Sequence, residues 1–223
     1  MNTNTDCAQP PDGQPPRPSR AYMAVKRVFD LILSFTALIV CALPMALISL
    51  LIRADSPGKA VFRQTRIGRN GTPFSCYKFR TMHNDAPHHR SKKELENADE
   101  YITRVGRFLR AFSLDELPQL WNIVRGEMSF IGPRPLIPEE TEVHELRTQY
   151  GVYQLRPGIS GYAQINGRDL ISDRRKAELD LYYLTHFSLW TDIRILFGTV
   201  GNVICKKDMH QGAVDENDEA PKE

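Results

Sequence analysis

Leu31–Ile52 reads LILSFTALIVCALPMALISLLI, 22 positions without a charge. An apolar run of 18 or more residues reads as a membrane segment. A buried core helix is the competing reading, but soluble cores seldom need an apolar run of this length. The run starts too deep and extends too far for a cleaved signal peptide, and no small-residue cleavage site follows Ile52. Pro44 lies inside it and removes a helix hydrogen bond, which favours a break or kink. The arm before the proline, Leu31–Leu43, has 13 residues. At about 1.5 Å per residue it reaches roughly 20 Å, short of a hydrocarbon core of about 30 Å. Lys26 and Arg27 precede the run, and Arg53, Lys59, Arg63, Arg66 and Arg69 follow it. Basic residues mark the cytoplasmic side, and here both flanks carry them. The expected topology is a re-entrant segment that dips into the cytoplasmic leaflet and returns on the same face. A straight span with a kink at Pro44 remains the alternative.

The surroundings of this segment set the domain plan. The chain has 223 residues, 41% hydrophobic and 25% charged, which excludes a wholly disordered chain and a multi-span membrane protein. Residues 1–20 are rich in Pro, Gln, Asn, Thr and Asp and read as a disordered tail. Residues 21–53 form the membrane-associated helix, 54–205 a cytoplasmic domain, and 206–223 a polar, acidic tail. Cys7, Cys41, Cys76 and Cys205 have neither zinc nor CxxC spacing and read as free thiols in a reducing compartment. The net charge of +2 hides an asymmetry: residues 53–110 hold 13 Lys or Arg against 6 Asp or Glu. A basic block beside a membrane segment suits lipid headgroups, phosphates or both. No zinc-finger, RNA-binding or helix-turn-helix signature accompanies it, so nucleic acid is not the expected partner.

The expected fold class is α/β, mostly helical with a small sheet or hairpin. Val61–Gln64 and Phe74–Phe79 read as strands around Arg69-Asn70-Gly71-Thr72, whose Asn-Gly pair is a hairpin signal. Ser91–Tyr101 reads as a charged surface helix. Ile102–Phe112 has helical spacing and sets Arg104, Arg107 and Arg110 along one stripe. A helix from about Leu117 to Val124 should stop at Gly126. Gly132-Pro133-Arg134-Pro135 should be extended and stiff. Glu139–Tyr150 reads as a surface helix, Tyr162–Ile165 as a short strand between turns, and Arg174–His186 as a helix. In Leu189–Ile204 the residues Trp190, Ile193, Phe197, Val200 and Ile204 share one face, which fits an interfacial helix or a core helix equally.

Asp115 and Glu116 carry the chemistry. Ser113-x-x-Glu116 is a capping box, and two acids in a first turn need no further reason. The surroundings argue for more. Three arginines precede the pair, and Arg134 follows it, held between prolines, which lowers the entropy cost of a bidentate grip on an anion. Gly158, Gly161 and Gly167 allow backbone amides to approach a phosphate, although each also fits a plain turn. A carboxylate among cations suits phosphoryl transfer with an aspartyl nucleophile, since the cations should depress its pKa and neutralise the phosphate it attacks.

The chain resembles the bacterial sugar transferase family, the small monotopic phosphoglycosyl transferases, from Lys26 to about Lys207. The resemblance is carried by Lys26-Arg27-x-Phe29-Asp30, Pro44, Phe62-Arg63-Gln64-x-Arg66-x-Gly68, Lys78-Phe79-Arg80-Thr81-Met82, the block SLDELPQLWNIVRGEMSFIGPRP at 113–135, and Arg156-Pro-Gly-Ile-Ser-Gly-x-Ala-Gln164-Ile-Asn166-Gly167-Arg168. It implies a re-entrant membrane helix on a small cytoplasmic α/β domain with interfacial helices, at the bacterial inner membrane. It implies transfer of a phospho-sugar from a UDP-sugar to polyprenyl phosphate, usually undecaprenyl phosphate, with release of UMP, as the start of an exopolysaccharide or other glycan. Asp115 falls on the covalent nucleophile and Glu116 on its acid–base partner. Mg²⁺ is the implied cofactor, held near the pair with Asp115 as ligand. Arg134, Lys78, Arg80, Arg110, Arg156, Gln164, Asn166 and Arg168 are the expected phosphate or substrate contacts. Membrane lipids and downstream glycosyltransferases are the expected partners. One departure is visible: the family's helix break is often Ser-Pro, and here it is Leu43-Pro44. Two other readings stay open: a non-catalytic membrane scaffold that binds anionic lipid, and a phosphohydrolase that uses water as acceptor.

Overall fold

The computed structural model describes residues 17–84, 86, 98–167 and 171–204. The two tails beyond residues 17 and 204, most of the 85–97 segment and Arg168 lie outside the described residues. Helix α1 spans Arg20–Asp55 as one 36-residue helix with Pro44 inside it. At about 1.5 Å per residue it is roughly 54 Å long. The expected break at Pro44 is therefore a lost hydrogen bond within a continuous helix, not a division into two helices.

Both ends of α1 are docked on the same body. Near the start, Tyr22 Oη and Lys26 Nζ donate to Asp192 Oδ2 at 2.9 and 2.6 Å. Arg27 donates to the carbonyls of Ile123 and Val124, and Asp30 accepts from the Phe130 amide. At the far end, Ile52 is buried with Ala60, Phe79 and Leu109. Arg80 donates to the carbonyls of Ile52, Ser56 and Pro57, which satisfies carbonyls that a helix end leaves without partners. Asp55 accepts the Val105 amide at 3.0 Å, and this hydrogen bond holds its carboxyl below the ordinary carboxylate value. The outer face of α1, including Phe29, Ile32, Phe35, Ile39, Val40, Leu43 and Leu47, is exposed.

Strands β1 (Val61–Ile67) and β2 (Pro73–Phe79) pair antiparallel in the register Val61 with Phe79. Asn70 (φ 58°) and Gly71 (φ 71°) have the two positive φ values of a type I′ turn, and the Thr72 amide donates to the Arg69 carbonyl. The Asn-Gly signal was local and decided this turn. Of the predicted charged helix at Ser91–Tyr101, residues 91–97 lie outside the described residues, and Ala98–Tyr101 is a 3₁₀ turn. Helix α2 (Arg104–Ala111) is capped by Thr103 Oγ1 on the Gly106 amide. Helix α3 (Gln119–Arg125) ends at Gly126 with φ 84°, the left-handed C-terminal cap that its position predicted. Asn122, fully buried on α3, accepts from the Tyr77 amide and donates to the Ser75 carbonyl and to Glu127, which fastens α3 to β2.

Strands β3 (Ser129–Ile131) and β4 (Gly158–Ser160) pair in parallel. A Cβ at Gly158 would lie 2.1 Å from the Gly132 nitrogen, and one at Gly161 would lie 2.4 Å from the Gly132 oxygen. Gly158 and Gly161 are needed for this close approach of neighbouring backbone. Helix α4 (Thr141–Gln149) buries Val143 and Arg147, so it is not the plain surface helix expected. Helix α5 (Tyr162–Ile165) replaces the predicted strand; its Tyr162 stacks on Tyr182 of α6 (Asp173–Thr185), a contact the local pattern does not encode. Helix α7 (Leu189–Ile204) buries Asp192 and Ile195 but exposes Trp190, Leu196, Phe197 and Val200. One edge of it lies in the core and an apolar face is open. The main core gathers Ile131, Leu136, Val143, Val152, Leu181, Tyr183 and Ile195 between α4, α6 and α7. Cys41 and Cys76 are free thiols; Cys7 and Cys205 lie outside the described residues.

Candidate active site

Asp115 and Glu116 sit on a 3₁₀ turn, Leu114–Glu116, between α2 and α3. The capping box does not form. Ser113 is left-handed (φ 54°) and its side chain makes no cap hydrogen bond. A non-glycine residue in that region costs conformational energy, and such outliers cluster at functional turns. The turn ends α2 abruptly and swings the two carboxylates toward the open end of the hairpin. Glu116 Oε1 accepts from Lys78 Nζ at 2.7 Å and lies 3.6 Å from Arg134 Nη1. Asp115 is half-buried, within electrostatic reach of Lys78, Glu116, Arg110 and Arg134. Its carboxyl is held above the ordinary carboxylate value. Burial is the main cause and Glu116 adds to it, while Lys78, Arg110 and Arg134 oppose it. The expected depression is thus reversed, because desolvation outweighs the cations. The result is a reactive-looking carboxylate whose negative charge is poorly solvated and faces basic groups.

The Gly132–Pro135 segment is held from two sides. Arg66 donates to the Pro135 carbonyl at 3.2 Å, and Arg147 donates to the Arg134 carbonyl at 2.9 Å. Arg147 is itself fixed by Nε and Nη2 on Asp180 Oδ2, at 2.9 and 2.5 Å. The carbonyls of Arg134 and Pro135 thus face arginines, and the Arg134 side chain reaches Glu116. A family model described as bacterial sugar transferase matches residues 21–206, which take in every element of this site. The chain belongs to the bacterial sugar transferase family. It is 39% identical over 196 residues to the undecaprenyl-phosphate glucose phosphotransferase of Komagataeibacter xylinus, covering 83% of this chain and 37% of that protein. It is 39% identical over 203 residues to the UDP-galactose-lipid carrier transferase of Erwinia amylovora, covering 82% of this chain and 41% of that one. It is 40% identical over 200 residues to the UDP-glucose:undecaprenyl-phosphate glucose-1-phosphate transferase of Caulobacter vibrioides, covering 85% of this chain and 73% of that one. The chain thus spans well under half the length of the first two relatives.

In this sugar transferase, the site gathers Asp115, Glu116, Lys78, Arg110 and Arg134 as expected. Arg110 also donates to Thr81 Oγ1 at 2.9 Å, which holds it on the β2 side. The other expected contacts are placed differently. Arg80 is buried against the end of α1 and donates to the carbonyls there, a structural role. Arg156 donates from Nε to the Gly126 carbonyl and lines a cleft near the start of α1. Gln164 and Asn166 donate to the carbonyls of Ile159 and Tyr162, within their own turn. Arg168 lies outside the described residues. Arg66, Arg147 and Asp180 were missed. Arg66 sat inside a quoted motif, whereas the α4–α6 pair left no local signal.

Among the described residues, no group of three or more His, Cys, Asp or Glu side chains is gathered to hold a metal. Mg²⁺ is commonly held by one or two carboxylates, with waters and substrate phosphates supplying the rest. Asp115, with Glu116 beside it, fits that smaller share.

Proposed function

We propose that this sugar transferase moves a sugar 1-phosphate from a UDP-sugar to polyprenyl phosphate and releases UMP, through a covalent phospho-sugar on Asp115. The observation that carries the reading is a half-buried carboxylate facing Lys78, Arg110 and Arg134, on a domain that holds both ends of an exposed apolar helix. An Asp115 oxygen attacks the sugar-bearing phosphorus. The bond to the bridging oxygen breaks, and UMP leaves with that oxygen. An oxygen of the polyprenyl phosphate then attacks the same phosphorus, and the bond to Asp115 breaks. Splitting the reaction spares a direct encounter between two anions. Arg134 and Lys78 hold phosphate oxygens, and Glu116 manages protons and orients the acceptor. Mg²⁺ held by Asp115 would supply charge neutralisation at the diphosphate.

Membrane placement follows from α1. A transmembrane helix would put its two ends on opposite sides of roughly 30 Å of hydrocarbon. Here Lys26 and Arg27 near one end and Ile52 and Asp55 at the other all dock on one polar domain. That favours a monotopic arrangement with the domain on the cytoplasmic face. The exposed apolar faces of α1 and α7, with Trp190 and Phe197, supply the lipid contact. A cysteine placed at Arg17 is expected to resist an impermeant maleimide in intact spheroplasts and to react in inverted vesicles. Labelling in intact spheroplasts would mean a spanning helix.

The scaffold reading relied on the dyad as a helix cap, and Ser113 makes no cap hydrogen bond. The deciding experiment is UMP release from a panel of UDP-sugars by the membrane-embedded protein, with Mg²⁺, with and without undecaprenyl phosphate. Acceptor-dependent UMP from at least one sugar is the expected result. Acceptor-independent sugar phosphate would favour hydrolysis, and no UMP from any donor would favour the scaffold.

A further inference from the structure

The cleft that holds Arg156 lies away from the dyad. Lys78 is at the open end of the hairpin and Arg69 is in its turn. Five residues of strand at about 3.3 Å separate these ends by roughly 17 Å. The cleft is lined by Lys26 and Asp30 of α1, Arg69, Ser129 of β3, Arg156 and Tyr183. Each of the two arginines is anchored through Nε alone: Arg69 on the Gln154 carbonyl and Arg156 on the Gly126 carbonyl, both at 2.9 Å. Their terminal amino groups make no hydrogen bond among the described residues. A guanidinium fixed by Nε presents a preoriented edge for bidentate contact with an oxyanion. Ser129 is 2% exposed, and its hydroxyl has no hydrogen-bond partner among the described residues. A buried hydroxyl without a partner is costly and points to a ligand that would satisfy it.

Charge makes the same case. Lys26 is paired with Asp192, and Asp30 accepts the Phe130 amide. Arg27 and Arg69 act on Arg156, and Asp30 opposes them. Burial first, and then Arg27 and Arg69, lower the Arg156 pKa, so its charge is under-compensated. An arginine does not shed its proton, so an anion beside it would be favoured.

We propose that this cleft is a second phosphate-binding site, separate from Asp115 and Glu116, which grips an oxyanion between the Arg69 and Arg156 forks and the Ser129 hydroxyl. Its phosphate comes either from a lipid headgroup at the level where α1 enters its apolar run or from a soluble phosphate ester. This goes beyond the transfer reaction and does not depend on it.

The test uses the full chain in phosphatidylcholine nanodiscs with Lys78→Met, which weakens anion binding at the dyad. Inorganic diphosphate is titrated in one arm, and phosphatidylglycerol is added to the discs in the other. A saturable rise in melting temperature is expected in at least one arm, and the arm that responds identifies the source. Adding Arg69→Gln and Arg156→Gln should raise the half-saturating concentration by roughly tenfold or more. Ser129→Ala removes a hydroxyl that has no partner in the protein, so it should fold normally and still weaken binding by about threefold or more. It keeps the test decisive if the double variant melts early. No response in either arm, or a response unchanged by Ser129→Ala and the arginine variants, overturns the proposal.

Discussion

Asp115→Asn is expected to abolish turnover while leaving the fold at least as stable as the wild type at neutral pH. Removing the nucleophile of a covalent mechanism lowers kcat by a factor on the order of 10⁴ to 10⁶. The stability half of the result follows from the sign of the pKa shift. The Asp115 carboxyl is raised above its ordinary 3.8, first by burial and then by Glu116, against Lys78, Arg110 and Arg134. A carboxyl with a raised folded value is accommodated best when neutral. Its favourable contribution is fully present below 3.8 and is lost as pH rises through the folded value. Asparagine is neutral at every pH and nearly the same shape. The variant's advantage in melting temperature should therefore open above the ordinary carboxylate value and close below it. Only the carboxylate attacks phosphorus, so UMP release should fall once the pH is low enough to protonate Asp115. Melting curves and UMP release across a pH series check both halves. Turnover within about a hundredfold of wild type would remove Asp115 as nucleophile. A variant that loses stability progressively above pH 4 would contradict the burial argument.

What could be read along the chain was what neighbours in sequence decide. The Asn70-Gly71 turn, the Gly126 stop and the α2 arginine stripe depend on spacings of a few residues, and all three formed. The dyad with Arg134 was legible through motif resemblance, and the fold brought Lys78 and Arg110 to it as expected. Other features depended on partners far along the chain. Ser113 looked like a cap, but its backbone is left-handed and its side chain makes no cap hydrogen bond. Gly106 meets the Thr81 carbonyl so closely that a Cβ there would lie 2.1 Å from the oxygen, and α2 can approach only because that side chain is missing. The raised Asp115 pKa was not legible, because cations can be counted in a sequence and desolvation cannot. Arg80 and Arg156 were basic residues in the right motifs, but the carbonyls they serve at the ends of α1 and α3 lie far from them along the chain.

Arg147→Met should cost about 3–5 kcal/mol, the typical loss when one member of a buried ion pair is removed. Arg147 and Asp180 are 2% and 1% exposed. One Asp180 oxygen takes both Arg147 bonds, and the other has no hydrogen-bond partner among the described residues. Burial already raises the Asp180 pKa despite the arginine. Without the arginine its charge would be stranded in the core. Adding Asp180→Leu to Arg147→Met removes that charge, and a well-packed apolar pair should recover most of the lost stability. Activity should not recover with it. The third Arg147 nitrogen donates to the Arg134 carbonyl, and neither methionine nor leucine can replace that bond. Arg134 then loses the hydrogen bond on its own carbonyl, and a misplaced phosphate grip costs about tenfold to a hundredfold in kcat/KM. Arg147→Lys should fall between, keeping a charge on Asp180 without the fork that also reaches Arg134. The informative comparison is therefore the double variant, in which stability and activity part. If its melting temperature and its kcat/KM both returned to wild type, Arg147 would be holding only the core. If neither recovered, the loss would lie in packing around α4 and α6 rather than in the stranded charge. Restored stability with depressed kcat/KM would identify Arg147 and Asp180 as positioning residues, which set Arg134 against Glu116 from the far side of the domain.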